Sequence, residues 1–390
     1  MHACDRVVIV QRYIPHYRIP LFQRLAAENQ DILIEVLHGG DLGKRYANLP
    51  EGFVNRQYRN IIIRLFGYTI VLQAGVLINV LLNPPELLIL EGTFGVLTNI
   101  LLIFLRSIRN EKTIYWTAGW DNPLVSGKRH WLKSKIIAQL LKLSDGAIVY
   151  GSEASRYLVR HGLAQDKIWI AQNTIDVERI AAEHDHWGTQ GNLIKRQMGL
   201  ETRKIILYVG GLGKLKRVDV LLDAFAQLHS ELDDIACVIV GDGEHLIELK
   251  KWADRKDIQD VHFVGEVIEG VEAYFALGDV FAMPGSGGLA INQAMALGLP
   301  VVASVADGTQ KDLIIPGENG YLVEAGNVDE LKRCLKEVLC DPARAARMEK
   351  KSLELVLQRA SFASMIQDYS AAIHAVLGRG AKRIGEEVAR

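Results

Sequence analysis

The chain has 390 residues, 49% of them hydrophobic and 23% charged. That composition excludes a largely disordered or fibrous chain, and the length exceeds one domain of about 100–200 residues, so two domains are expected. Forty-five basic and 46 acidic residues leave a net charge of −1, which argues against a dedicated nucleic-acid binder.

The charge is uneven along the chain. Residues 1–190 hold 21 Lys/Arg and 17 Asp/Glu, residues 191–390 hold 24 and 29, and the segment 106–142 holds 8 basic and 2 acidic residues. A basic first half suggests an anionic surface or acceptor near it. Cys4, Cys237, Cys334 and Cys340 are scattered, with no Cys-x-x-Cys pair. Neither a disulfide framework nor a zinc site is expected, and a reducing, cytoplasmic compartment fits. The first residues lack the long apolar core of a signal peptide, so none is expected.

In chain order, Val7-Val8-Ile9-Val10 reads as a buried strand, 20–28 as a helix with Pro20 in its first turn, and 32–37 as a strand. The stretch 65–85 carries no charge. A membrane span needs about 20 mostly apolar residues, and the polar Gln73 and Asn79 favour a buried helix over about 68–82 instead. Strands follow at 87–90, 113–117, 147–150 and 168–171, with helices at 131–143 and 153–160. Near-continuous hydrophobic strands alternating with helices imply a parallel sheet covered on both faces. The polar stretch 184–202 reads as an irregular interdomain connection with a short helix. The pattern then restarts. A strand at 205–209 runs into Gly210-Gly211-Leu212-Gly213, a helix spans 218–228, and a strand at 236–240 runs into Gly241-Asp242-Gly243. Strands at 261–264, 279–283 and 300–303 follow, then a helical tail from 342 with a last helix at 362–377. The expected fold class is α/β, with two doubly wound domains in series. Ligands in such sheets bind at the carboxyl ends of the strands.

Three loops at those ends are candidates for chemistry. Gly210 to Gly213 precede Lys214, Lys216 and Arg217 and then a helix start, which suits a phosphate or diphosphate. A glycine turn with solvated lysines is the alternative. The spacing is not that of a P-loop, so ATP hydrolysis of that type is disfavoured. Gly241-Asp242-Gly243 reads more simply as a tight structural turn. Pro284-Gly285-Ser286-Gly287-Gly288-Leu289 puts four small residues before a helix and leaves room for a bulky ligand, with Gln293 near the helix start as donor and acceptor.

These segments together resemble the retaining glycosyltransferases of family four, in particular their exopolysaccharide/O-antigen-type branch. The resemblance covers nearly the whole chain. It is carried by Leu207 to Leu212 with Lys216 to Leu221, by Val240 to Gly243, by Val280 to Ser304, by Gly317 to Val323, by Asn173-Thr174-Ile175-Asp176 and by Tyr17 to Phe22. It implies the GT-B fold, two Rossmann-like domains facing across a cleft. Residues 1–185 would form an N-terminal acceptor-binding domain and residues 200–360 a C-terminal nucleotide-sugar domain. The helix at about 362–378 would pack back on the first.

The implied activity is metal-independent transfer of a hexose-like sugar from a nucleoside diphosphate sugar to a glycan or polyprenyl-linked glycan in surface polysaccharide biosynthesis. No cofactor and no metal ligand are implied. Donor binding falls to Gly210, Gly211, Lys216, Arg217, Gly241, Gly265, Glu266, Gly285, Gly287, Gly288, Leu289 and Gln293. Lys216 would stabilise the leaving diphosphate, with Lys214 or Arg217 standing in for the Arg that the family carries where this chain has Gly211. The family's Glu-x7-Glu falls on Gly285 and Gln293, and its N-terminal His on Ala118. These departures support an alternative, a catalytically weak GT-B protein acting as a binding or complex subunit.

Acceptor binding falls to His16, Tyr17, Arg18, Trp120 and Asp121. Asp121 would hold or deprotonate a sugar hydroxyl, or form an Asx turn before Pro123. Arg18 would bind an acceptor phosphate or cap its loop. The cations Arg106, Arg109, Lys112, Lys128, Arg129, Lys133, Lys135 and Lys142 would contact an anionic inner membrane surface as a peripheral site, or form a solvated face.

Overall fold

The computed structural model describes residues 4–40, 52–65, 68–92, 95–118, 139–306 and 308–379. The chain divides into two compact units. The first holds the described residues up to 118, those from 139 to Gln172 and those from Ala363 onward; the second is Asn173–Phe362, so it begins ahead of residue 185.

The first unit is built on a seven-stranded sheet. Its strands are β1 (Asp5–Gln11), β2 (Ile32–Gly39), β3 (Val54–Tyr58), β6 (Leu87–Glu91), β7 (Lys112–Thr117), β8 (Gly146–Val149) and β9 (Ile168–Ile170). They lie in the order β3-β2-β1-β6-β7-β8-β9, every neighbouring pair parallel. Val7 to Val10 and Leu87 to Leu90 are fully buried, as strands covered on both faces must be. The helix Phe362–Leu377 belongs here. Ile366, Tyr369 and Ile373 recur at helical spacing and are buried. Asn29 donates to Ser370 Oγ at 3.0 Å, and the Tyr369 ring meets Trp116 edge-on at 5.1 Å.

Between β3 and β6 the chain makes a separate antiparallel hairpin, β4 (Ile61–Leu65) with β5 (Tyr68–Leu72), and then the helix Ala74–Leu82. The expected helix over 68–82 is therefore wrong in its first third. Tyr68-Thr69-Ile70-Val71 is aromatic and β-branched, and the pairing with Ile61 to Leu65 decides its form. Nor is the helix buried all round, since Ile78 and Leu82 are exposed. Among the described residues no helix is long and apolar enough to cross a membrane.

The second unit carries a six-stranded parallel sheet. Its strands are β10 (Lys204–Val209), β11 (Ile235–Val240), β12 (Val261–Gly265), β13 (Val280–Met283), β14 (Val301–Ser304) and β15 (Gly320–Val323), in the order β12-β11-β10-β13-β14-β15. The chain winds one way from β10 to β12 and the other way from β13, so the switch point lies between β10 and β13. One core runs through Ile205 to Tyr208, Ile235 to Val240 and Leu221, Phe225 and Leu228 of the helix Val218–His229.

The expected irregular connection at 184–202 is instead largely a helix, His184–Gln197. Gly188 sits in open space on this helix, whereas Gly191 marks close packing. A Cβ on Gly191 would come within 3.0 Å of backbone atoms of Ala273, Ala276 and Leu277, so glycine lets this helix lie against Val271–Ala276. The helix expected at 131–143 lies mostly outside the described residues.

Candidate functional site

The glycine loops of the second unit interlock at the carboxyl ends of its strands. Gly210, just past β10, donates to Val240 O at 3.0 Å, and Leu212 donates to Asp242 O at 2.9 Å. Gly241, just past β11, donates to Gly265 O at 2.7 Å, and the Tyr208 hydroxyl donates to Gly211 O at 3.0 Å. Gly210, Gly211, Gly241 and Gly265 thus form one bonded set, with Glu266 exposed beside it. Gly241-Asp242-Gly243 is both a tight turn and a member of that set.

The loop after β13 is seated on the loop after β10. Ser286 N–H donates to Leu215 O at 2.9 Å, and the Lys216 ammonium donates to Ser286 O at 2.7 Å and Gly287 O at 2.8 Å. Pro284 O is held in turn by Ser304 Oγ at 2.8 Å. Gly285 permits this seating. A Cβ there would lie within 2.5 Å of Lys216 C and O and closer still to Leu215 O, all backbone atoms. Gly211 differs, since a Cβ there would meet only Asp242 O, at 3.9 Å. Of these two glycines, Gly211 is open to a side chain and Gly285 is closed.

Gly288 is exposed and a Cβ there would meet only Lys216 Nζ, at 3.9 Å. Leu289 is the N-cap of the helix Ala290–Ala296, and Gln293 is half-buried on it. The neighbouring Asn292 was not singled out by sequence. It is buried and donates to Asn173 O at 3.2 Å, tying the loop helix to the Asn173 to Asp176 segment. A polar residue inside an Ala/Met/Ile helix was the available signal.

The three cations of the first loop do not act together. Lys216 alone reaches the 286–287 carbonyls. Arg217 pairs with Asp219 at 3.2 Å and lies at φ +51, a left-handed conformation that costs a non-glycine residue about 1–2 kcal/mol. It precedes the helix Val218–His229 without a side-chain cap, so first-turn N–H groups are left for another acceptor. Lys214 and Arg217 line a cavity of about 420 Å³ between this loop and the helix Leu246–Arg255, with Leu215, His245, Glu248 and Trp252. Gly285, Gly287, Gly288 and Gln293 are not among its lining residues.

In the first unit, Arg18 follows β1 and is only 9% exposed. Its guanidinium donates to Gln11 Oε1 and to the Tyr150 hydroxyl, at 2.6 Å for the latter, and lies 4.3 Å over the Trp116 ring. Burial opposes its charge, but Tyr150, Tyr17, Tyr369 and Glu91 outweigh that and hold its pKa above the ordinary value. Burial also pushes the Tyr150 phenol up to about 12, so it remains a neutral partner. His16 is exposed and Tyr17 half-buried, their rings edge to face at 5.8 Å. Trp120 and Asp121 lie outside the described residues.

The expected cationic face is broken. Arg106 is fully buried, facing Glu111 at 3.0 Å and donating to Pro85 O and Lys112 O. Lys112 donates to Leu377 O at 3.1 Å. Arg109 and Lys142 are exposed, and Lys128, Arg129, Lys133 and Lys135 lie outside the described residues.

Residues 192–354 match the model of the family described as glycosyl transferases group 1. That segment holds the loops after β10, β11 and β13, with Lys216 and Gln293. The chain is 30% identical over 187 residues to the GDP-mannose-dependent alpha-(1-6)-phosphatidylinositol monomannoside mannosyltransferase of Mycolicibacterium smegmatis, covering 45% of this chain and 47% of that protein. It is 25% identical over 243 residues to the N-acetyl-alpha-D-glucosaminyl L-malate synthase of Bacillus anthracis, covering 60% and 63%. The chain thus spans about half the length of the curated relatives it matches. Among solved structures, Anabaena HepE in complex with UDP superposes with a TM-score of 0.74 at 16% identity, over 95% of this chain and 100% of that one. The lipopolysaccharide outer core galactosyltransferase WaaB gives 0.69 at 14%, over 95% and 99%. The fold is GT-B, with two Rossmann-like parallel-sheet domains in one chain.

Proposed function

We propose that the protein is a retaining, metal-independent glycosyltransferase. It moves a hexose-like sugar from a nucleoside diphosphate sugar to a glycan or polyprenyl-linked glycan in surface polysaccharide assembly, at the cytoplasmic face of the membrane. The observation that carries this reading is the Lys216 ammonium, bonded to the 286–287 loop and lying in the segment that matches the glycosyltransferase family.

A retaining transfer breaks the glycosyl–phosphate bond while the acceptor hydroxyl attacks from the same face. Negative charge builds on the leaving diphosphate. A fixed cation and the uncapped first turn of the helix Val218–His229 stabilise that charge without reorganising, which is usually the largest catalytic contribution. Lys216 supplies the cation. Gln293 accepts a ribose hydroxyl through its amide oxygen, more weakly than a carboxylate would. Asp121 and Trp120 serve the acceptor. HepE binds UDP and UDP-glucose, and the mannosyltransferase relative uses GDP-mannose, so UDP and GDP are the first nucleotides to try.

The test is a melting-temperature series with UDP, GDP, dTDP, ADP and CMP, each with and without magnesium. A ligand at about 100 times its Kd adds about 2.7 kcal/mol of stability. A selective shift that does not need magnesium supports the reading and identifies the nucleotide. No shift with any of the five refutes a working donor site.

A further inference from the structure

Two helices of the first unit carry large apolar residues on their outward sides. The helix Leu97–Ile108 turns Thr98, Asn99 and Arg106 inward, all buried, together with Leu102 and Ile103. Its outward residues are Leu101, Phe104 and Ile108, at helical spacing, with Phe104 53% and Ile108 65% exposed. The helix Ala74–Leu82 packs beside it and contains no charged residue. Val76 and Val80 face the core, and Ile78 and Leu82 face out, 57% and 74% exposed. A helix on the surface of a soluble domain ordinarily puts polar residues on that side. The hairpin strand β5 packs against the helix Leu97–Ile108, and its partner β4 exposes Ile61, Ile62 and Ile63 in succession. Apolar patches of this extent mark interaction sites.

The charges around the patch are mainly basic, with Glu86 exposed as well. Residues 52–110 hold five arginines and two glutamates. Arg59 and Arg64 are exposed, and no carboxylate among the described residues pairs with either. Arg109 follows the helix directly and is exposed. Of the two acids, Glu91 is turned in and paired with Arg12 at 3.0 Å. An apolar centre edged by Arg59, Arg64 and the half-exposed Arg109, whose ion pair with Glu111 is long at 3.9 Å, complements acyl chains lying under anionic phosphates.

We propose that this face docks the protein on an anionic lipid surface. Ile78, Leu82, Leu101, Phe104 and Ile108 enter the boundary between headgroups and acyl chains, and Arg59, Arg64 and Arg109 meet lipid phosphates. The inference rests on the membrane-side location proposed above and names the residues that would produce it. Of the cationic segment expected from sequence it keeps Arg109 and drops Arg106, which is inside the fold.

The experiment is co-sedimentation of the full chain with phosphatidylcholine vesicles, with and without phosphatidylglycerol. The wild type is expected to partition onto the anionic vesicles. A combined Leu101→Ser, Phe104→Ser, Ile108→Ser variant should lose at least about tenfold in partition, since burying one such side chain is worth about that factor or more. Its melting temperature should stay close to wild type, because Phe104 and Ile108 are more than half exposed and only Leu101 is largely covered. Arg59→Gln, just ahead of the hairpin, combined with Arg64→Gln on β4, is the second variant, and each arginine is expected to contribute about fivefold on anionic vesicles only. Wild-type protein that stays in the supernatant with every vesicle overturns the proposal. So does a serine variant that partitions like wild type, or a dimer in solution that the serine variant converts to monomer, since a second copy would then cover the face. Vesicle binding is read without substrate, and the nucleotide-induced melting shift is read without lipid. The docking face and the transferase reading therefore fail separately.

Discussion

Replacing Gly285 by alanine probes how the loop after β13 sits on the loop after β10. A Cβ at that position falls within 2.5 Å of Lys216 C and O. Those are backbone atoms and cannot rotate away, so the loops must separate. Separation strains the Ser286–Leu215 bond of 2.9 Å and the Lys216 contacts of 2.7 and 2.8 Å. Overpacking of this kind costs about 1–3 kcal/mol, and a lost hydrogen bond adds about 1 kcal/mol. The expected total is about 2–4 kcal/mol. In a unit the size of Asn173–Phe362, each kcal/mol moves Tm by about 2–4 °C, so a fall of about 5–15 °C is expected. Gly211→Ala is the internal control. Its Cβ would have 3.9 Å of clearance, and the change should stay within about 0.5 kcal/mol. Differential scanning fluorimetry and urea melts on the two variants decide the matter. If Gly285→Ala melts with Gly211→Ala, the loop does not rest on Leu215 and Lys216 as described.

Lys216→Ala is expected to lose about 10²–10³-fold in transferase rate, the usual cost of removing one preorganised donor to developing charge. Near-normal turnover in a sugar-transfer assay would take Lys216 out of the chemistry. Asp368 on the helix Phe362–Leu377 supplies a pH test. Burial pushes its carboxyl up to about 6 from an ordinary 3.8. The folded chain therefore holds that proton more tightly than the unfolded chain, and this group's contribution to stability falls as pH rises from about 4 to 6. Asp368→Asn should melt higher than wild type at pH 7, and the difference should vanish below about pH 4, where the acid is protonated in both states. A constant difference across that range would mean that burial of the charge is not the cause.

Much of the architecture was legible in the amino-acid order. Runs such as Val7 to Val10 and Ile235 to Val240 can sit only in strands covered on both faces. The glycine loops announced the strand ends, and Lys216 in the first of them is the cation that the fold seats on the 286–287 carbonyls. What stayed hidden were directions and partners. Gly191 read as part of a loop because its tight contact, Val271–Ala276, is 80 residues further along the chain. Tyr68 to Leu72 read as helix because periodicity alone does not show its pairing with Ile61 to Leu65. The family resemblance singles out Lys216 over Lys214 and Arg217, but that Arg217 is taken by Asp219 was visible only in the fold.

Composition and spacing by themselves determined two parallel α/β sheets, glycine loops at their strand ends and a cation among those loops, because local sterics and hydrophobic period dictate such features. Only the tertiary structure decided that Gly285 is closed to a side chain while Gly211 is open. It alone turned Arg106 inward and Phe104 outward on one helix. Those outcomes depend on which distant backbone or side chain arrives opposite a residue. A chain's local pattern specifies that a face is apolar, but long-range packing decides which face meets the core.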